Sequence, residues 1–193
     1  MKNDQNIEVE YKFKIENKDK LIALLEKMTS NKNFRQYQSN IMFDNPAGLM
    51  QITDGRIRIR TLGKTGNKTL TYKKPIAPEN GAKREIEYEI LFQDLNGQIE
   101  RILEAMEFVP TTSYERYQTK WEINGVHITL DEYPYADLIE IEGEKEKIAC
   151  LAKDLGFELN DSLTKPTDTL FQEWRKERGL LFKPHMRFND YDK

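Results

Sequence analysis

Two pairs of glutamates, each pair separated by one residue, have a spacing that could support chemistry. Glu8 and Glu10 form the pair near the beginning of the chain, and Glu140 and Glu142 form the second. Side chains at positions i and i+2 of a β-strand lie on one face, where paired carboxylates can hold a divalent cation. Such a cation bridges phosphate oxygens and activates water. Because Glu-x-Glu is a common sequence, each pair alone is a weak indication of a metal site.

Basic side chains alternate in the same way on other segments. Arg56, Arg58 and Arg60 share one face of an alternating segment, and Arg116 and Lys120 share a face of another. Arginine donates bidentate hydrogen bonds to phosphate oxygens, whereas lysine acts as a movable point charge. Several such cations from different strands could therefore clamp a polyanion such as a triphosphate.

The alternation of apolar and charged residues predicts the strands that would carry these side chains. Eight strand-like segments span residues 7–15, 36–43, 56–61, 68–73, 83–90, 113–123, 126–131 and 136–141. Helical spacing predicts four helices, which contain residues 21–28, 95–106, 148–155 and a segment from about 166 to beyond 174. Asn124–Gly125 predicts a hairpin turn. Eight strands with a few helices in the connections predict an α+β fold with an antiparallel sheet that closes or nearly closes.

The charged faces of these strands allow two interpretations. In the first, they form the solvated side of a half-buried antiparallel sheet, which is the ordinary case and the one that the pattern alone favours. In the second, they point into a barrel whose outer face is covered by helices. A charged interior requires water, metal and a polyanionic ligand, because buried charge without a partner is costly. Alternation cannot decide which face is inside.

The combination of motifs is more specific than any one of them. Glu8, Glu10 and Lys12 form an E-x-E-x-K motif at the start of the domain. Five further motif-like segments follow at Tyr37–Met50, Arg56–Arg60, Thr69–Pro75, Lys83–Ile90 and Ile128–Gly143. In order and spacing, these segments resemble the CYTH superfamily, the triphosphate tunnel metalloenzymes, over about residues 7 to 170. The resemblance implies an eight-stranded antiparallel β-barrel that forms a tunnel, with charged side chains inside and helices packed outside. The solvated-face interpretation is therefore abandoned.

The resemblance also implies roles for individual residues. The implied metal ligands, for Mg²⁺ or Mn²⁺, are Glu8, Glu10, Asp131, Glu140 and Glu142. The implied substrate-binding residues are Lys12, Arg58, Arg60, Lys73, Lys83, Arg116 and Lys120. The implied catalytic residues are Glu8, Glu10, Lys12 and Glu142. On the sixth strand the family commonly has two basic residues at i and i+2, where this chain has Gln118 and Lys120, so either Arg116 or Lys120 could contact phosphate.

Members of this family include inorganic, thiamine and RNA triphosphatases and class IV adenylyl cyclases. Hydrolysis requires only that the triphosphate be correctly positioned. Cyclisation also requires a nucleoside pocket that folds the ribose back onto the α-phosphorus. Nothing in the sequence identifies such a pocket, so we expect metal-dependent hydrolysis of a triphosphate: inorganic tripolyphosphate, a nucleoside triphosphate or thiamine triphosphate. The alternatives are a class IV adenylyl cyclase that converts ATP to cyclic AMP and pyrophosphate, and a non-catalytic polyanion-binding module.

The overall composition excludes several other classes. With 33 acidic and 30 basic residues among 193, the chain lacks the basic excess of proteins that bind nucleic acid or membranes through bulk charge. One cysteine and two histidines exclude an intrachain disulfide and the common zinc sites. We expect a single domain over residues 1–180, a C-terminal extension over residues 181–193, and a cytoplasmic protein without a signal peptide or membrane helix. The expected partner is a small triphosphate rather than nucleic acid, and a homodimer remains open.

Overall fold

Eight antiparallel strands close into a barrel, and a short ninth strand lies beside it. The computed structural model describes residues 7–32, 34–63, 65–79, 82–94 and 96–190, with the backbone alone at positions 7, 8, 78, 79 and 82. The strands in this part of the chain are β1 Ile7–Lys14, β2 Gln36–Asp44, β3 Arg56–Leu62, β4 Asn67–Glu79, β5 Ala82–Gln93, β6 Val109–Ile123, β7 Val126–Glu132, β8 Asp137–Glu142 and β9 His185–Met186. The helices are α1 Lys18–Met28, α2 Leu49–Ile52, α3 Gln98–Ala105, α4 Lys145–Leu155 and α5 Thr167–Glu177.

The order of strands around the barrel is β2-β3-β4-β5-β1-β8-β7-β6, and pairing of β2 with β6 closes it. The predicted eight-stranded antiparallel barrel is confirmed. Strand β9 pairs in parallel with β6, where Ser113 faces His185 and Tyr114 faces Met186.

The apolar faces of the strands point outward, and the charged faces point inward. On β1, Tyr11 and Phe13 are buried in a cluster with Leu25 of α1 and Ile148 of α4. Lys12, between them in sequence, faces the barrel interior and is only 3% exposed. Burying a large apolar side chain contributes about 1.5–3 kcal/mol, so the two helices stabilise the orientation that places the charges inside. The solvated-face interpretation of the strand pattern is wrong.

Two further helices cover other parts of the barrel. Leu103 of α3 packs against Phe43 and Ile59 on β2 and β3. Phe171 of α5 packs in a cluster with Leu138 of β8, beside one end of the barrel. The start of α5 thereby reaches the cavity described below.

Local sequence signals account for several of the connections. Asn17 caps α1, because its Oδ1 accepts a hydrogen bond from the backbone N–H of Lys20 at 2.9 Å. Asn124 and Gly125 both have positive φ, which fits the two-residue hairpin turn predicted there. Asp44 caps α2 by accepting hydrogen bonds from the backbone N–H groups of Met50 and Gln51, at 2.8 and 3.3 Å.

The structure departs from the predicted elements in several places. Strand β4 was expected to end at Lys73, but its ladder with β5 continues, with Pro75 opposite Glu85. Helix α2 and strand β9 were not predicted, since each is too short to show a periodicity. Among the described residues, none of the helices is long and apolar enough to cross a membrane.

Candidate functional site

The inward faces of the strands line a cavity of about 110 Å³, which is called the main cavity because most of the predicted site residues line it. Six of the predicted substrate-binding residues line it: Lys12, Arg58, Arg60, Lys73, Lys83 and Arg116. Two of the predicted acidic residues, Glu10 and Glu140, line it as well. These side chains come from strands β1, β3, β4, β5, β6 and β8, so the closed barrel brings together residues that are far apart in the sequence.

Lys12 lies beside Glu10 and Glu140, the two predicted acidic residues that line the main cavity. Its Nζ atom is 2.9 Å from Glu140 Oε1 and 3.9 Å from Glu10 Oε1. Strand register explains the closer contact, because Lys12 lies directly opposite Glu140 on the neighbouring strand. Burial alone would lower the pKa of Lys12, but the charges of Glu140 and Glu10 outweigh it and raise the pKa well above its ordinary value. Lys12 is therefore a fixed cation.

Three other cations of the cavity also have close carboxylate partners. Lys83 Nζ is 2.6 Å from Glu10 Oε1, which faces it across the β1–β5 ladder. Lys73 pairs with Glu87, which faces it across the β4–β5 ladder. Arg56, the third of these cations, pairs with Glu85 on β5.

Arg58 and Arg60 differ from these cations, because their close hydrogen-bond partners are neutral. Arg58 Nη1 donates to the hydroxyl of Tyr114 at 3.0 Å, and the nearest ion-pair oxygen belongs to Glu89, 3.9 Å from Nη2. Arg60 Nε donates to Asn40 Oδ1 at 3.3 Å, and in the described part of the chain no carboxylate lies within 4.0 Å of its guanidinium. These two guanidinium groups keep most of their charge available to an anion.

The register of β3 explains why the two arginines lack close carboxylate partners. The residues facing Arg58 on the neighbouring strands are Met42 and Thr71, and those facing Arg60 are Asn40 and Thr69. All of these neighbours are uncharged.

Crowding of the cations has an electrostatic consequence. Burial, together with the charges of Arg58 and Arg116, lowers the pKa of Arg60 to about 10. A group whose charged form is disfavoured in this way gains stabilisation when an anion binds beside it.

Arg116 belongs to a closed ring of hydrogen bonds. Its Nε donates to Gln38 Oε1 at 2.9 Å, Gln38 Nε2 donates to Gln118 Oε1 at 2.9 Å, and Gln118 Nε2 donates to Asp131 Oδ1 at 2.9 Å. Arg116 Nη1 closes the ring by donating to Asp131 Oδ2 at 2.5 Å. Tyr133 adds a further hydrogen bond to the same oxygen at 3.3 Å. Every member is at least nine-tenths buried, so the guanidinium of Arg116 is held rigidly.

Asp131 is a member of the same ring of hydrogen bonds. Although burial opposes it, the charge of Asp131 raises the pKa of Arg116 well above its ordinary value. Both oxygens of Asp131 accept hydrogen bonds, and the residue does not line the main cavity. In this structure Asp131 is the counter-ion of Arg116.

Lys120 and Glu142 lie elsewhere, at a second cavity of about 700 Å³. Its lining also includes His127, Thr129 and residues 30–32. Of the two alternatives on the sixth strand, Arg116 therefore reaches the main cavity and Lys120 reaches the second.

Glu142 does not line the main cavity, but it faces Glu10, which does, directly across the β1–β8 ladder. Burial, and after it the charges of Glu10 and Glu87, raise the pKa of Glu142 despite the opposing charge of Lys73. The side chain of Glu8 lies outside the described residues, and its backbone precedes Glu10 by two positions on β1. Among the described residues, no three acidic, histidine or cysteine side chains converge into a ready metal site.

Several residues of the main cavity were not predicted as site residues. Alternation placed Arg56 on the face of Arg58 and Arg60, but the predicted substrate-binding residues did not include it. Tyr114 could have been found by alternation, because it shares a strand face with Arg116. Tyr133 and Asp168 also line the cavity, but they follow β7 and begin α5, where alternation gives no signal.

Comparison with known proteins identifies relatives of this architecture. A family model described as the CYTH domain matches residues 6–170. A candidate adenylate cyclase from Vibrio parahaemolyticus is similar in structure, with a TM-score of 0.75 at 17% identity over 86% of this chain and 98% of that one. The PH1819 protein of Pyrococcus horikoshii OT3 has a TM-score of 0.70 at 25% identity over 86% of this chain and 98% of that one.

A third solved structure is a candidate adenylyl cyclase from Hippeastrum, described as revealing a dominant triphosphatase activity. It has a TM-score of 0.64 at 19% identity over 91% of this chain and 97% of that one. No curated protein matches the sequence.

Proposed function

Because the chain belongs to the CYTH domain family, we propose that it is a metal-dependent triphosphatase that binds its substrate in the main cavity. The family alone does not choose the reaction, since similar folds are described both as candidate adenylate cyclases and as a triphosphatase. The choice rests on the cavity of this chain.

The observation that carries the proposal is the pair of partly buried guanidinium groups of Arg58 and Arg60. Their hydrogen bonds are made to the neutral oxygens of Tyr114 and Asn40, so binding an anion breaks no close ion pair at either arginine. Guanidinium groups bind phosphate oxygens in a bidentate manner, and burial strengthens such contacts. Arg116, paired with Asp131 and fixed by its hydrogen-bonded ring, adds a third guanidinium group to the same cavity. A substrate with several phosphoryl groups fits this arrangement.

The acidic residues fit a divalent cation by their chemistry. Carboxylate oxygens are the ligands that Mg²⁺ and Mn²⁺ prefer, and Glu142 carries negative charge that Glu10 and Glu87 destabilise. We infer that Glu10 and Glu142, which face each other, would hold the cation with Glu8. When bound, the cation neutralises phosphate charge and activates water. Asp131 and Glu140 would act mainly as counter-ions of Arg116 and Lys12.

The cavity lining favours hydrolysis over cyclisation. Hydrolysis requires that cations bind the phosphoryl groups and stabilise the charge that develops in the transition state. Cyclisation also requires a surface that binds the nucleoside. Among the described residues that line the main cavity, the aromatic rings are Tyr114 and Tyr133, and these pack against each other with centroids 6.0 Å apart. Neither ring is a free platform for a base.

A product assay tests the proposal. The purified protein is incubated with tripolyphosphate, ATP or thiamine triphosphate, in the presence of Mg²⁺, Mn²⁺ or a chelator. We expect orthophosphate from at least one substrate with metal and none with the chelator. Cyclic AMP and pyrophosphate from ATP, without orthophosphate, would instead identify a cyclase. No product from any substrate would identify a polyanion-binding module.

Variants of β3 test the role of the cavity. Arg58→Ala removes one of the guanidinium groups without a close carboxylate, and the loss of a hydrogen bond to a charged group costs about 1.5–3 kcal/mol. We therefore expect KM for the triphosphate to rise about 10- to 100-fold. Arg101→Ala is the matched control, because it removes an exposed guanidinium from α3 on the outside of the barrel. Equal KM values for the two variants would exclude Arg58 from the binding site.

A further inference from the structure

Tyr114 is a cavity residue to which neither the sequence motifs nor the proposed function gives a role. It precedes Arg116 by two positions on β6, so both side chains point to the same cavity. Its hydroxyl oxygen accepts a hydrogen bond from Arg58 Nη1 at 3.0 Å. Within the described part of the chain, the structure shows no acceptor for the proton of this hydroxyl. That proton is available to a bound ligand.

The surroundings of Tyr114 suit a negatively charged ligand. Burial alone would raise the pKa of Tyr114, but the positive charges of Arg58, Arg116 and Arg60 outweigh it and lower the pKa. Cations around a phenol polarise the O–H bond and make the group a stronger hydrogen-bond donor. Because the oxygen already accepts from Arg58, the remaining interaction with a ligand is a donated hydrogen bond. An ionised phosphoryl oxygen, which carries no proton, is the matching acceptor.

Strand β9 fixes the position of this side chain. Tyr114 faces Met186 in the β6–β9 ladder, and the backbone N–H of Ser113 donates to Pro184 O at 3.1 Å. The Ser113 hydroxyl lies 3.0 Å from His185 Nδ1. The ring of Tyr133 also packs against Tyr114, with ring centroids 6.0 Å apart. A hydroxyl held in this way loses little conformational entropy when a ligand binds.

We propose that Tyr114 is a substrate-binding residue, which donates its hydroxyl proton to a phosphoryl oxygen while its own oxygen holds Arg58 in place. This inference rests on the proposed function, because it takes the ligand of the main cavity to be a polyphosphate. It adds to the arginine clamp a neutral donor that a carboxylate-paired lysine could not replace. Strand β9, which begins at His185 and follows the matched residues 6–170, contributes by holding the strand segment that carries Tyr114.

Binding of inorganic tripolyphosphate, measured by calorimetry in the presence of a chelator, tests the inference without depending on turnover. Tyr114→Phe keeps the ring and removes the hydroxyl, and we expect its Kd to rise at least tenfold. Tyr88→Phe is the matched control, since Tyr88 is exposed on the outer face of β5 and stacks on Tyr72. Its Kd should equal that of the unmodified protein. An unchanged Kd for Tyr114→Phe would overturn the inference.

A double variant separates direct contact from an effect through Arg58. If Tyr114 only held Arg58 in place, Tyr114→Phe would have no effect on a protein that already carries Arg58→Ala. We expect a further loss of about fivefold in that background, and the absence of any further loss would overturn the direct contact. Tight tripolyphosphate binding that depends on the Tyr114 hydroxyl, in a protein that releases no product, would support the inference and refute the proposed hydrolysis.

Discussion

Replacing Asp131 by asparagine distinguishes a counter-ion from a metal ligand. The change keeps the size of the side chain but removes its charge and converts one acceptor oxygen into an NH₂ donor. That donor must then face either Arg116 Nη1 or Gln118 Nε2, which donate to the two oxygens at 2.5 and 2.9 Å. The buried guanidinium of Arg116 also loses its closest carboxylate. Removing one partner of a buried ion pair costs about 3–5 kcal/mol. Since the amide oxygen still accepts one hydrogen bond, we expect a loss near the lower limit, about 3 kcal/mol.

The assay for Asp131→Asn is urea unfolding in the presence of a chelator, followed by tryptophan fluorescence. Excess chelator removes any contribution of bound metal, so the difference in the free energy of unfolding between Asp131→Asn and the unmodified protein reports the ion pair and its hydrogen bonds. Glu122→Gln, an exposed position on β6, serves as the control and should change it by less than about 0.5 kcal/mol. In the double variant with Arg116→Met, the two losses should be less than additive, because the second change removes a charge that the first left unpaired. An unchanged or higher free energy of unfolding for Asp131→Asn in the chelator would refute the counter-ion role.

Two further predictions concern other charged groups. Glu132 accepts hydrogen bonds from Lys18 and Arg35, which lower its pKa despite burial, so Glu132→Gln should lower the free energy of unfolding by about 1–3 kcal/mol at neutral pH. A carboxyl group with a lowered pKa contributes stability that is lost as the pH falls below its ordinary pKa of about 4.3. The difference in the free energy of unfolding between Glu132→Gln and the unmodified protein should therefore narrow when urea unfolding is repeated at about pH 3.5. An equal difference at both pH values would contradict this prediction. Mg²⁺ or Mn²⁺ at about 100 times its Kd should stabilise the unmodified protein by about 2.7 kcal/mol in thermal unfolding. The increase should be much smaller for Glu142→Gln and unchanged for Glu146→Gln, an exposed residue of α4, and equal increases in all three would exclude Glu142 from the metal site.

Alternation in the sequence predicted which residues share a face of each strand, but not whether that face points into the barrel or out of it. Tyr11 and Lys12 are both almost completely buried, at 0% and 3% exposure, on opposite faces of β1. Period-two alternation is the same whichever face lies inside, so the pattern favoured the ordinary solvated sheet. The inward direction follows from closure of the barrel and from helices α1 and α4 over the apolar face, which are tertiary features. The family resemblance supplied that information before the structure did.

Cross-strand register is the other feature that the sequence could not supply. The partners of Lys12 and Lys83 are Glu140 and Glu10, each fixed by a ladder between strands that are distant in sequence. A shift of one residue in either ladder would turn every side chain of that strand to the other face and break these pairs. The type of residue on each face was therefore predictable, whereas the partner of each charge was not.

Register also explains how the same interior can be stable and still bind an anion. Five cations of the main cavity have a carboxylate oxygen within 2.9 Å, and these pairs offset the cost of burying charge: Lys12, Arg56, Lys73, Lys83 and Arg116. Arg58 and Arg60 lie on β3, between β2 and β4, where the facing residues are methionine, asparagine and threonine. Among the described residues that line the main cavity, these two arginines are the cations without a close counter-ion. Since unpaired buried charge destabilises a protein, a polyanion that binds there supplies the missing partner. The neutral residues of β2 and β4 are therefore as important for anion binding as the arginines are, because they leave the arginines without a close carboxylate. A search for charged motifs does not detect them.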